Sequence, residues 1–336
     1  VSSRRLVLTC PVGFEDLVRG DLLEDDGVRA RQIDPGLLLV ESIGDLTFLE
    51  HATAIDQVSV PLDLSTGVAI SLREAAVGRL CERVGVDRIV HYRVHSPGDP
   101  VQRDAVIAEV DRALGWINSP GDWDVNLDLA TSRADIGPLR WAARFGRLDR
   151  LPAATPVAVA ACAVRLAKVP AEGVLLDPCG GVGSVPIVDA LVRPTGDGLV
   201  VDALAEAVDL AAGNLRRLGL TERVSVRQGD ATALEVADHS VDRVVTDLPF
   251  GKRIGSNEAN RTLYPAALRE IERVLTSDGR CVLLSDDKRL LKDAVARTHG
   301  LKIVRERVVR YNGVTPTAYT LARSRRLRER RTADAS

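Results

Sequence analysis

The chain has 336 residues, enough for two or three domains and for a core that needs no disulfide support. Lys plus Arg (45) nearly balance Asp plus Glu (47), which argues against a uniformly basic nucleic-acid binder, and no apolar run reaches the 18 or so residues of a membrane span. The five cysteines, Cys10, Cys81, Cys162, Cys179 and Cys281, form no CxxC pair, which speaks against a disulfide scaffold or structural zinc and fits a cytoplasmic setting; the segment after Val1–Arg5 is too short for a signal peptide.

Leu6–Thr9 alternates as a strand, Cys10–Gly13 turns, and Phe14–Leu23 has helical apolar spacing. Leu37–Glu41 reads as a second strand and Asp45–His51 as a short helix capped by Asp45, which together suggest a small α+β domain. The spacing predicts a helix over Leu72–Val84, a strand over Arg88–His95, a helix over Val101–Leu114 and a strand over Trp123–Leu129, with Val125, Leu127 and Leu129 on one face. His91, Arg93 and His95 share a strand face; a solvated face is preferred over a metal site because no third ligand stands at a suitable spacing, and no metal is expected. Arg133, Arg140, Arg144, Arg147 and Arg150 punctuate the following stretch, as solvated linker charge or as phosphate contacts at the edge of a crevice.

From Leu151 the composition turns to alanine and valine, and Thr155-Pro156 opens a helix over Val157–Ala167. The stretch Val174 to Ile187 then organises the rest of the chain. An apolar run stops at Asp177, a turn with Gly180, Gly181 and Gly183 follows, and a helix begins at Ser184 with Val185, Ile187, Val188 and Leu191 inward. Such a turn brings backbone N–H groups close to a ligand. Three more apolar runs end in carboxylates, at Asp202, Asp230 and Asp247, with a helix over Ala203–Leu218 closed by Gly219. Four strands with acids at their C-terminal ends describe one crevice in an open parallel sheet. Arg325–Arg331 is a basic tail, expected to be disordered.

Three of these acids suit an adenosine carrying an amino acid. Asp177 would fix the turn and approach an amino group, Gly181 and Gly183 would admit the ligand, Asp202 would accept the ribose hydroxyls, and the Asp230-Ala231 step would take the adenine amine. Asp247-Leu248-Pro249-Phe250-Gly251 could hold a flat base with an exocyclic amine. Asp247 and a nearby carbonyl would accept the amine hydrogens, while Pro249 and Phe250 fix the ring. Lys252, Arg253 and Arg261 around Gly255-Ser256-Asn257 could contact phosphate.

At these residues the chain resembles the THUMP-domain RNA methyltransferases, Rossmann-fold enzymes that make N2-methylguanosine in tRNA. Asp177, Pro178, Gly181, Gly183 and Ser184 match the family's Asp-Pro-x-x-Gly-x-Gly-Ser/Thr loop; Asp202 and Asp230 match its acids after the second and third strands. Asp247, Pro249, Phe250 and Gly251 match its Asn/Asp-Pro-Pro-Tyr/Phe-Gly, with Leu248 in place of the first proline. The run Asp247–Leu275 is similar to the branch acting on the sixth nucleotide of the acceptor stem, and Leu8–Glu15 resembles the opening of the family's ferredoxin-like domain.

The resemblance implies an α/β fold: a Rossmann-like S-adenosylmethionine-dependent methyltransferase domain preceded by small α+β domains. The expected boundaries are a ferredoxin-like domain at 1–65, a shortened THUMP-like RNA-binding domain at 66–135, a linker at 136–154, the methyltransferase domain at 155–323 and the basic tail at 324–336. It implies S-adenosyl-L-methionine as cofactor, with Asp177, Gly181, Gly183, Ser184, Asp202, Asp230 and Ala231 binding it, and Asp247, Pro249 and Phe250 as catalytic residues. It also implies a tRNA substrate and no membrane partner, and leaves open whether a small activator subunit is needed, as in some eukaryotic relatives. The oligomeric state is left open. The alternatives are methylation of rRNA guanine or another exocyclic amine, a non-catalytic RNA-binding protein that has kept the fold, and a nicotinamide dehydrogenase using the same first two acids.

Overall fold

A computed structural model describes residues 4–24, 27–42, 46–249 and 257–324. Phe250, the stretch 251–256 with Lys252 and Arg253, and the tail beyond Ser324 lie outside the described residues. Among the described residues no helix is long and apolar enough to cross a membrane. The chain divides into two units, Val1–Cys10 with Glu15–Gly146, and Pro11–Phe14 with Arg147–Ser336.

In the first unit the strands are β1 (Arg4–Thr9), β2 (Val28–Asp34), β3 (Leu37–Ser42), β4 (Gln57–Pro61), β5 (His91–His95), β6 (Ile117–Asn118), β7 (Val125–Asp128) and β8 (Arg133–Ile136). The helices are α1 (Glu15–Leu22), α2 (Val68–Glu74), α3 (Val77–Arg83), α4 (Pro100–Leu114) and α5 (Trp141–Phe145). All eight strands join one sheet in the order β2-β3-β1-β4-β8-β7-β5-β6. The strands assigned to 1–65 and to 66–135 therefore share one surface, knit by Ser59 against Asp135 and Val60 against Ala134. In β8, only Ala134 and Ile136 are buried, between half-buried Arg133 and Asp135.

Strands β2, β4, β6 and β8 stand where none was expected, and two expected helices depart in local conformation. The helix over Leu72–Val84 is broken into α2 and α3 because Ala76 takes a left-handed φ of 52°. The helix expected to start from Asp45 is a single 3-10 turn, Thr47–Leu49, and Asp45 lies outside the described residues. The arginine run also changes meaning. Arg144 is no phosphate contact: it is spent on the carbonyls of Leu49 (2.8 Å), Ala52 (3.2 Å) and Ile55, and burial pulls its pKa down to about 10. Arg93 donates to Asn126 Oδ1 at 2.8 Å, and its guanidinium lies 4.4 Å from the Trp123 ring, with that of Arg140 at 4.3 Å from the same ring.

In the second unit the order is α6 (Val157–Ala167), β9 (Val174–Asp177), α7 (Ser184–Val192), β10 (Asp197–Asp202), α8 (Ala205–Leu218), β11 (Val224–Gln228), β12 (Val241–Asp247), α9 (Asn257–Val274), β13 (Leu275–Ser285), α10 (Lys288–Arg297), β14 (Leu301–Val308) and β15 (Thr317–Arg323). The seven strands lie in the order β11-β10-β9-β12-β13-β15-β14, parallel except where β15 runs antiparallel to β13 and β14. This is the Rossmann-like, doubly wound α/β architecture that the resemblance implies. The chain moves outward from β9 to β11 and then returns to the other side of β9 with β12, so the sheet's switch point falls between β9 and β12. Ligand crevices open at the C-terminal strand ends beside such a point, because the connecting loops diverge there.

Each element carries its own reason for ending where it does. β9 is a short apolar run that stops at a carboxylate, and α8 closes on Gly219 at φ 68°, a left-handed cap suited to glycine. The core packs Leu176, Val244 and Leu283 from the strands against Leu268 and Ile271 of α9 and Leu291 of α10. Fully buried Asn214 of α8 accepts from the Asp149 amide at 2.8 Å and donates to the carbonyls of Asp149 (3.0 Å) and Val182 (3.1 Å). One side chain thus fixes both the entry segment and the glycine turn to the same helix.

Candidate active site

A single cavity of about 620 Å³ opens where the strand ends predict, and Asp177, Asp202, Asp230 and Asp247 all line it. Gly181, Ser184, Ala231 and Pro249 line it too, so the structure brings together the two groups of residues that the sequence assigns to cofactor and to base. Gly183 stays off the cavity wall. It caps α7 at φ 85°, where a Cβ would meet Ala211 and Ile187 at 3.4 Å, so it serves the turn into the helix. Gly180 is tighter still, since a Cβ there would fall 2.6 Å from Val200 Cγ1. Gly181 needs its freedom for a φ of 53°, and the space beside it is open.

Main-chain hydrogen bonds build this end of the cavity. Asp177 Oδ1 accepts from the Cys179 amide at 3.2 Å, and Asp202 accepts from the amides of Gly181 (2.8 Å, Oδ2) and Leu204 (2.9 Å, Oδ1). Asp202 thereby ties the glycine turn of β9 to the end of β10, while each of its oxygens keeps a lone pair. Asp230 Oδ1 accepts from Thr232 at 2.8 Å at the rim. Burial, with a smaller push from the nearby carboxylates of Asp202 and Asp247, raises Asp177 to about 7 against the pull of the Thr246 hydroxyl and the Cys179 amide.

Side chains from distant segments build the other end. Asp247 Oδ2 accepts from Thr155 Oγ1 at 2.8 Å, and Tyr311 Oη stands 2.8 Å from each carboxylate oxygen. Burial raises Asp247 to about 6, and the two hydroxyl donors hold it below what burial alone would give. The next turn is pinned through Pro249, whose carbonyl accepts from Asn260 Nδ2 (2.6 Å) and Tyr264 Oη (3.0 Å). Leu248, where the resembling family has proline, is buried in the core, and its amide bonds the Leu284 carbonyl at 3.1 Å. A proline could not donate that bond.

The sequence reading gave no site role to four of these residues: Thr155, Asn260, Tyr264 and Tyr311. Thr155 stood out only as the start of a helix. Tyr311 had a usable signal, since Asn312-Gly313 is the dipeptide of a tight hairpin, and both take positive φ (50° and 75°) while Tyr311 and Val314 exchange hydrogen bonds. Asn260 and Tyr264 sit one helical turn apart on α9, which no spacing argument connects to Pro249.

Comparison with known proteins places this geometry. A family model described as "RMKL-like, methyltransferase domain" matches residues 144–317. The human tRNA (guanine(6)-N(2))-methyltransferase THUMP3 is 35% identical over 168 residues, covering 45% of this chain and 32% of that protein. The chain spans about a third of the length of the first curated relatives it matches. Among solved structures, TrmN from Thermus thermophilus superposes with a TM-score of 0.71 at 21% identity, covering 96% of this chain and all of that one. SMU.472 complexed with SAH superposes at 0.66 with 13% identity, over 95% of this chain and 98% of that one.

Proposed function

The chain belongs to the RMKL-like methyltransferase family, and from that premise we propose that it transfers a methyl group from S-adenosylmethionine to the N2 amine of a guanine in tRNA, in the acceptor-stem region. The observation that carries this reading is that Asp177 and Asp247, at the ends of the two strands flanking the switch point, line one cavity.

The residues present suit the cofactor. Asp202, fixed by two amides, has lone pairs left for two ribose hydroxyls, and the Asp230-Ala231 step stands at the next strand end for the adenine amine. Asp177 is a buried acid raised to about 7, which a cationic amino group would ionise, so ligand charge and pocket charge neutralise one another. Gly181, with no neighbour where its Cβ would stand, admits the ligand to the turn. When bound, S-adenosylmethionine supplies an electrophilic methyl whose bond to sulfur breaks, leaving the electron pair on sulfur, as the amine nitrogen forms its new bond.

The protein's own residues handle the amine. Asp247 accepts an N–H of N2, stabilises positive charge as it develops on nitrogen and takes or relays the proton that nitrogen loses. The Pro249 carbonyl is already engaged by Asn260 and Tyr264, which leaves the Leu248 carbonyl as the adjacent main-chain acceptor for the second N–H. Pro249 and Phe250 would hold the base plane.

The domains at 1–65 and 66–135, ferredoxin-like and THUMP-like, would present the RNA, and five cysteines with no disulfide among them suit a cytoplasmic enzyme. Nucleoside mass spectrometry of tRNA from a strain lacking the protein tests the proposal. N2-methylguanosine should fall in a tRNA fraction and return on incubation with the protein and S-adenosylmethionine. Unchanged N2-methylguanosine in tRNA would refute the assignment.

A further inference from the structure

We propose that Tyr311 and Thr155 are positioning residues that occupy three of the four acceptor sites on the Asp247 carboxylate, so that the amine is received by the outer lone pair of Oδ1. This rests on the role given to Asp247 above. A carboxylate carries about four lone-pair sites, two facing inward between the oxygens and two facing outward. Tyr311 Oη is 2.8 Å from both Oδ1 and Oδ2 and therefore lies on the inward side, equidistant from the pair. That placement excludes a second donor there. Thr155 Oγ1, 2.8 Å from Oδ2, must then use that oxygen's outward site. The outward site of Oδ1 remains for the incoming N–H.

The Tyr311 hydroxyl is not free to wander from this position. Its hairpin tip is closed by hydrogen bonds between Tyr311 and Val314 (3.3 and 2.9 Å) over the left-handed Asn312-Gly313 pair. The base of the hairpin is seated on Pro11–Phe14: the Arg310 amide donates to the Val12 carbonyl at 3.0 Å and Arg307 Nη1 to the Gly13 carbonyl at 2.6 Å. Gly13 lies so close that a Cβ would fall 2.3 Å from the Val308 carbonyl oxygen.

The same donors set when the carboxylate is charged. Asp247 faces Asp177 and Cys179 from the β9 turn, Tyr264 from α9 and Tyr311 from the hairpin, with Asp286 acting on Tyr311. Hydroxyl donation from Tyr311 and Thr155 is what favours the ionised form against burial. Removing a donor raises the pH at which Asp247 becomes a competent acceptor.

The test uses the full chain, labelled S-adenosylmethionine and bulk tRNA from a strain lacking the protein. Tyr311→Phe should lower the single-turnover rate by about 10- to 100-fold, leave S-adenosylhomocysteine affinity within about twofold, and move the acid limb of the pH profile upward. Thr155→Ser should keep the wild-type rate and Thr155→Val should not. A Tyr311→Phe enzyme with wild-type rate and acid limb would overturn the inference. So would a carbon-13 titration of the apo protein in which the Asp247 carboxyl titrates alike in wild type and Tyr311→Phe. If instead Asp247→Asn kept full turnover, the reading of Asp247 itself would fall and this inference with it.

Discussion

The two ends of the cavity are built in different ways. Asp202 is half-exposed and held by amides two and twenty-one residues away; Asp247 is held by hydroxyls sixty-four and ninety-two residues away. The first is backbone geometry around a glycine turn, which tolerates change at most side chains and little change in the chain path. The second is side-chain geometry delivered by three separate segments, which tolerates change in the path and none in the donors. A ligand common to many enzymes suits the first construction, and a reacting group that must be aimed suits the second.

The sharpest way to break that comparison is to disable each end separately. Asp247→Ala should abolish methyl transfer while leaving S-adenosylhomocysteine affinity near wild type, read by calorimetry and single-turnover assay. Gly180→Val, whose Cβ would fall 2.6 Å from Val200 Cγ1 and 3.2 Å from the Asp177 carbonyl, should abolish binding itself. If both variants lost binding, the two ends would be one site, and the division drawn above would be wrong.

A smaller effect sharpens the same point, because the glycine end has one long-range support of its own. Asn214→Ala removes the partner of the Asp149 amide and of the Asp149 and Val182 carbonyls. Leaving such buried groups unpaired costs roughly 1–3 kcal/mol, to be read as a lower urea midpoint with unchanged slope. Cofactor affinity should fall with it, since Val182 belongs to the turn. Retained stability would show that water replaces the amide.

What the sequence disclosed follows this division. The Asp177–Ser184 turn, Asp202 and Asp230 were legible because each sits at a local signal, an apolar run ending in a carboxylate, and for Asp177 the strand end, glycine turn and helix start lie within a dozen residues. Asp247 was legible as a residue but not as an environment. Thr155 and Tyr311 reach it only because the segment leading into α6 and the connection between β14 and β15 both come to the end of β12, which periodicity does not encode. The first unit shows the same limit. Only β1, β3, β5 and β7 could be read from their own residues; β4 passed unread, and its joining to β8 depends on a four-residue strand bearing an arginine and an aspartate, too short and too polar to announce itself.

The smallest expected effect concerns pH and again separates the ends. Asp177 and Asp247 are raised to about 7 and about 6 by burial, so between their ordinary range and those values the folded chain holds protons that the unfolded chain has lost. Stability contributed by these groups is therefore greatest in acid and declines as pH rises from about 4 to about 7. Asp177→Asn should flatten that decline in the melting temperature of the apo protein, with the gap from wild type opening toward pH 7.5 and closing near pH 4. Adding S-adenosylhomocysteine should narrow the gap in wild type, because its ammonium favours the ionised Asp177. Asp247→Asn should show a similar apo gap and no such ligand response, since the proposed mechanism assigns its carboxylate to the base and not to the amino group. A ligand response of equal size at both positions would place the cationic group between them and merge the two ends into a single electrostatic site.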